Sequence, residues 1–217
     1  MELKINGQAR GTRIICGKEA KFRRTLLNDL INRAEANGFS EIILPSVEPS
    51  RTYTDKAGQE ILGQMYTFPD KKGRDLCLRP EVTATIQLIA DKYWKQEGEV
   101  KVWYFEKCWR YERPQRGRYR EFWQFGCEVI NPMNPDGVRD DLVDLAEEMV
   151  GTITNEFFTD YSVKRGLDYY TENGFEITCP KLGAQQQVCG GGAYRGGVGF
   201  AIGFDRLALL KDSLPEN

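Results

Sequence analysis

Apolar side chains at Phe22, Leu26, Leu30 and Ala34, with Leu27 and Ile31 beside them, recur every three or four positions between Lys18 and Asn37. That spacing predicts one face of an amphipathic helix, ended by Gly38. Phe39 to Leu44 has strand composition and stops at Pro45, whose missing N–H confines the strand to an edge or an end. A long helix followed by an edge strand fits either a dimerisation element or a helix packed on its own sheet. Arg51 to Asp75 reads as loop and short strands. It closes in a hairpin around Asp70-Lys71-Lys72-Gly73, with Tyr66, Phe68, Leu76 and Leu78 turned to the core. Pro80 and Glu81 then open a helix carrying Ile86, Ile89 and Tyr93. Glu81 there serves either the helix dipole alone or a charged ligand as well.

From Lys101 to Ile130 two aromatic-rich runs flank RPQRGR, where Pro114 and Gly117 favour a turn, so the stretch predicts an antiparallel hairpin. Its tip gathers Arg110, Arg113, Arg116, Arg118 and Arg120. Guanidinium groups so crowded must spread into water or face a polyanion, and their forked donors suit phosphate oxygens. Val138, Leu142, Leu145, Met149 and Ile153 define a second amphipathic helix whose acidic side is a solvated surface. Tyr161 to Cys179 alternates in strand fashion, and Gln187 to Cys189 leads into GGGAYRGGVGFAIGFDRLALL, with a final helix from near Phe204. Glycines in that cluster permit close approach of a ligand or a neighbouring strand. No repeat or composition shift divides the chain, and hairpin-linked strands outnumber helices, so one α+β domain with a mainly antiparallel sheet is expected.

Composition narrows the chemistry. The chain has 217 residues, a formal net charge of -2 and no histidine. Catalytic triads built on histidine, histidine-ligated zinc and imidazole proton shuttles are thereby excluded, leaving Arg, Glu, Tyr and backbone. Six cysteines without a C-x-x-C pair suit reduced thiols in a cytoplasmic setting, with no metal framework. No apolar run reaches bilayer length, so no membrane association is expected. Neither a Walker A sequence nor G-x-G-x-x-G between strand and helix occurs, so a nucleotide would lie on the sheet itself.

Seven blocks in order, ARGTR, the first helix and strand to Pro45, LRPEVTA, WRYERPQRGRYREFWQFGCEV, RGLDYYT, CGGGAY and GVGFAIGFDRLALL, make the chain resemble the catalytic domain of histidyl-tRNA synthetase. That family is a branch of the class II aminoacyl-tRNA synthetases. The resemblance implies a class II antiparallel sheet flanked by helices, binding ATP with Mg²⁺ and L-histidine on one face, and usually a homodimer. It assigns the α-phosphate to Arg110, the adenine amino group to Glu112, the outer phosphates to Arg118 and Arg206, and the adenine ring to Phe122. Glu81 and Gln124 would hold the α-ammonium group, Glu128 and Tyr170 the imidazole nitrogens, and Arg165 would help activate the carboxylate. Arg113 and Arg116, left over at the hairpin tip, are candidates for contact with tRNA or another RNA acceptor.

The pattern departs from the family in places. About thirty-five residues separate the second motif from RGLDYY, a length that one helix and one strand consume. The resemblance therefore implies a single catalytic domain over 1–217, without the family's insertion and anticodon-binding domains. Tyr194-Arg195 replaces a tyrosine-aspartate pair, the loop after it is shortened, Trp123 replaces the usual histidine, and GTRI stands where GTRD is common. The expected activity is conversion of histidine and ATP to histidyl-adenylate. The alternatives are a non-catalytic histidine sensor resembling the ATP phosphoribosyltransferase regulatory subunit, and an RNA-binding module.

Overall fold

A computed structural model describes residues 4–54, 59–163 and 170–213. The first helix, α1 (Gly17–Ala36), buries Leu26, Leu30 and Ala34, as its periodicity requires. The strand expected from Phe39 to Leu44 contracts to β1 (Ser40–Glu41). Glu106 explains the contraction: Leu44 N–H donates to its Oε1 at 2.7 Å, drawing the chain off the sheet edge and leaving Ile43 80% exposed.

A small sheet follows, made of β2 (Val47–Pro49), β3 (Tyr66–Pro69) and β4 (Asp75–Leu78), with β4 in the middle. Two helical turns, α2 (Arg51–Thr54) and α3 (Gln59–Leu62), occupy the stretch expected to be loop and short strands. The β3–β4 turn sits where expected, with Asp70 Oδ1 accepting from the N–H groups of Lys72 and Arg74. Its inward face is corrected. Cys77 packs fully buried with Tyr53 and Ala84, whereas Phe68 is 39% exposed, because the covering helices lie on the Cys77 side. Next, α4 (Thr83–Ile89) runs into a π-helical turn, Ala90–Trp94. The wider turn rotates the helix face and leaves Tyr93 63% exposed.

The hairpin forms as expected from β5 (Val100–Trp109) and β6 (Glu121–Ile130), in unbroken register from Val100 opposite Ile130 to Trp109 opposite Glu121. Alternation gives it two faces. Trp103, Phe125, Cys127 and Val129 pack toward α1 and α5 (Pro135–Gly151), while Val102, Tyr104, Cys108 and Ile130 pack with Val82 and Ile86 beside α4. The remaining strands are β7 (Phe158–Val163), β8 (Tyr170–Thr178), β9 (Gln187–Tyr194) and β10 (Gly197–Gly203). A 3₁₀ turn, Pro180–Leu182, precedes β9, and α6 (Phe204–Ala208) with a 3₁₀ turn, Leu209–Ser213, follows β10. The seven-stranded sheet has the order β1-β5-β6-β10-β9-β8-β7, antiparallel except for β1, which runs parallel to β5. The architecture is α+β, with helices α1 and α5 on one face and α4 over part of the other.

Two glycines shape that second face. A Cβ on Gly126 would lie 2.2 Å from the Tyr104 ring, and one on Gly199 would lie 1.6 Å from Glu128 Oε2. The glycines of the central strands thus make room for large side chains on neighbouring strands.

Candidate active site

A cleft of about 310 Å³ opens on the α4 face of the sheet, floored by β6, β9 and β10. Glu81, Arg110, Glu112, Arg118, Phe122, Gln124 and Arg206, which the sequence singles out from three separate segments, all line it.

One end is built from arginines. Arg110 donates from Nε to the Pro80 carbonyl at 2.9 Å and lies 5.4 Å from the centre of the Phe122 ring. Arg118 pairs with Glu112 across the loop that joins β5 to β6. Arg206, at the start of α6, donates to Gly117 O at 2.8 Å, Gln187 O at 2.9 Å and Gln185 Oε1 at 3.0 Å. Burial, reinforced by the nearby Arg110 charge, lowers its pKa from the usual arginine value. Neutral acceptors thus hold this guanidinium in one orientation without cancelling its charge.

The other end is built from carboxylates and their partners. Glu81 accepts from the Ala84 N–H at 3.1 Å, capping α4, and lines the cleft as well. Gln124 Oε1 accepts from the Cys108 thiol at 3.1 Å. Burial pushes that thiol up to about 12, which keeps it protonated and a donor. Glu128 lies beneath the lining residues, 1% exposed. Thr83 and Tyr194 hydroxyls donate to its two oxygens at 2.8 and 2.9 Å. Burial raises its pKa to about 8, against the opposing pull of those two hydrogen bonds.

Arg165 lies outside the described residues, as does the side chain of Tyr170, whose backbone opens β8 opposite Tyr194. Arg113 and Arg116 are exposed on the loop and do not line the cleft. Sequence reasoning missed Thr83, Glu176 and Asp205, and it noted Tyr194 only within the CGGGAY block and beside the departing Arg195. Thr83 could have been found from its place two residues after Glu81 at a helix start. Asp205 carries no local signal, since its partners Arg13, Arg23 and Trp123 come from distant segments.

The family model for histidyl-tRNA synthetase matches residues 11–156. The chain belongs to the histidyl-tRNA synthetase family. A curated histidine–tRNA ligase of Methanosarcina acetivorans is 32% identical, covering 95% of this chain and 76% of the relative. That of Archaeoglobus fulgidus is 30% identical, covering 91% and 74%. The first alignment runs over 312 positions, more than the 217 residues of this chain, so the relative carries sequence with no counterpart here. The apo histidyl-tRNA synthetase of S. aureus superposes with a TM-score of 0.79 at 26% identity, over 99% of this chain and 72% of that one. A histidine–tRNA ligase subunit from Alicyclobacillus acidocaldarius shares the fold at a TM-score of 0.82 and 15% identity, over 97% and 98% of the two chains. A protein from Bacillus halodurans titled ATP phosphoribosyltransferase regulatory subunit/histidyl-tRNA synthetase shares it at 0.79 and 15%, over 96% and 83%. The sheet and flanking helices are therefore those of the class II catalytic fold.

Proposed function

We propose that this chain is a histidyl-tRNA synthetase catalytic domain that activates L-histidine with ATP, releasing pyrophosphate, with tRNA or another RNA as acceptor. The observation carrying this reading is that a single cleft gathers Arg110, Arg118 and Arg206 at one end and Glu81 and Gln124 at the other. A carboxylate oxygen of histidine attacks the α-phosphorus, and the bond to the pyrophosphate oxygen breaks. Two anions must approach and charge builds on the transferred group, so fixed cations are what the reaction needs. No side chain need move a proton, which suits a chain without histidine.

In this reading Arg110, joined by Arg165, faces the α-phosphate, while Arg118 and Arg206 hold the outer phosphates. Phe122 stacks on the adenine and Glu112 meets its amino group. Glu81 and Gln124 receive the α-ammonium group, and Glu128 with Tyr170 receives the imidazole nitrogens. Glu176 lines the cleft and would offer a hard oxygen donor of the kind that suits Mg²⁺, which would supply charge neutralisation on the phosphates. Among the described residues no helix is long and apolar enough to cross a membrane. The exposed segment around β1 is the natural dimer contact.

Histidine-dependent ATP–pyrophosphate exchange tests the proposal. Exchange is expected from the wild type and not from Arg110→Ala. Histidine binding by calorimetry with no exchange above the Arg110→Ala background would favour the sensor reading instead.

A further inference from the structure

We infer that Arg13 is a positioning residue for the arginine end of the cleft, bracing the hairpin loop and α6 against each other from behind. The inference rests on the proposed function above, in which that end takes the triphosphate. Arg13 lies on neither wall. Its guanidinium stacks 3.5 Å from the centre of the Tyr119 ring, and its Nη2 donates to Asp205 Oδ1. Tyr119 follows Arg118 directly, and Asp205 precedes Arg206 directly. One side chain therefore touches the neighbours of both outer-phosphate candidates.

The segment carrying Arg13 is itself fastened to the loop. Gly11 O accepts from the Arg120 N–H at 2.9 Å, and a Cβ on Gly11 would stand 2.8 Å from Arg120 Cγ and 3.0 Å from Pro114 Cγ. Gly11 also has φ +82, so glycine is needed here for both space and backbone conformation. Asp205 completes the frame. Its Oδ1 accepts from Arg23 at 2.5 Å and its Oδ2 from the Trp123 N–H at 2.6 Å, which ties α6 to the first residues of β6. Two guanidiniums on one carboxylate leave a surplus positive charge behind the cleft, and among the described residues Arg13 Nε and Arg23 Nη1 have no hydrogen-bond partner. A field of that sign favours an anionic ligand in front.

Amide hydrogen exchange on Arg13→Ala and Arg13→Lys, paired with pyrophosphate-exchange kinetics, tests the inference. For Arg13→Ala, protection of the Arg120 and Trp123 amides should fall about tenfold while α1 amides stay unchanged. The KM for ATP should rise about tenfold or more, with the KM for histidine within about twofold. Arg13→Lys keeps the ion pair but loses the flat stack, so intermediate values are expected, and this variant carries the test if Arg13→Ala does not fold. Unchanged Arg120 and Trp123 amides overturn the inference, as does a lowered melting temperature with an unchanged KM for ATP. Deprotected amides in a protein whose wild type shows no exchange would uphold the brace and overturn the proposed function.

Discussion

The two ends of the cleft solve opposite problems. At the arginine end the charged groups are half-buried, and the best fixed of them, Arg206, is oriented only by neutral oxygens, so its charge remains for a ligand. At the carboxylate end Glu128 is buried and both its oxygens are already hydrogen-bonded, so a ligand must match or replace existing bonds. Under the proposed function the first end would recognise charge and weaken with salt, whereas the second would recognise a pattern of donors and acceptors and would not. An activating enzyme needs both, since a triphosphate is held mainly through its charge and histidine is told from other amino acids by its ring nitrogens.

The largest expected effect strikes the support of the carboxylate end. Arg79, fully buried, donates to Glu106 Oε2 at 2.6 Å and to the carbonyls of Pro45 and Lys107, anchoring the chain just before Glu81. Replacing Arg79 by Met leaves Glu106 and the buried Glu48 without their cation, a loss of about 3–5 kcal/mol. Urea unfolding measures it, and a loss below about 1 kcal/mol would mean the buried charges neutralise themselves without Arg79. Next comes Arg206→Lys, which keeps the charge but cannot reproduce three directed bonds. The exchange rate should fall about a hundredfold with the unfolding midpoint unchanged. A near-normal rate would show that charge alone, not its orientation, is what the arginine end supplies.

How far each end can be read from the sequence follows from the same contrast. Phe122, Gln124 and Glu128 are legible as one strand face because β5 and β6 keep unbroken register, so period-two alternation survives into three dimensions. The two long helices are legible for the analogous reason, since their apolar stripes are local. What fails is whatever depends on a distant partner. Glu106 shortens β1 by capturing a backbone N–H from a residue 62 positions earlier. Asp205 gathers Arg23 from 182 positions away and Arg13 from 192, and no periodicity encodes such a junction.

Gly199→Ala separates the two ends directly. The new Cβ would sit 1.6 Å from Glu128 Oε2 and 2.3 Å from its Cδ, inside the carboxylate itself. Glu128 must leave its place between Thr83 and Tyr194, at about 1–3 kcal/mol in stability. Calorimetry should then show histidine affinity lost and ATP affinity kept. Equal loss of both would mean the ends are mechanically coupled.

The effect that is smallest at any single pH step is a slope. Burial lifts Glu128 from an ordinary value of 4.5 to about 8, so between those pH values the folded state holds a proton that the unfolded chain has released. Stability from this group is complete below pH 4.5 and drains away as pH rises toward about 8, by at most about 1.4 kcal/mol per pH unit. Glu48, also raised by burial, acts with the same sign but is present in wild type and variant alike. Glu128→Gln cannot titrate, so its stability should decline less steeply with pH over that window. Melting temperatures taken at unit pH steps compare the two. Parallel curves would mean that Glu128 is ionised at neutral pH in the folded protein, making the carboxylate end a fixed anion suited to an imidazolium. Diverging curves would make it a neutral hydrogen-bonding site that favours the uncharged ring.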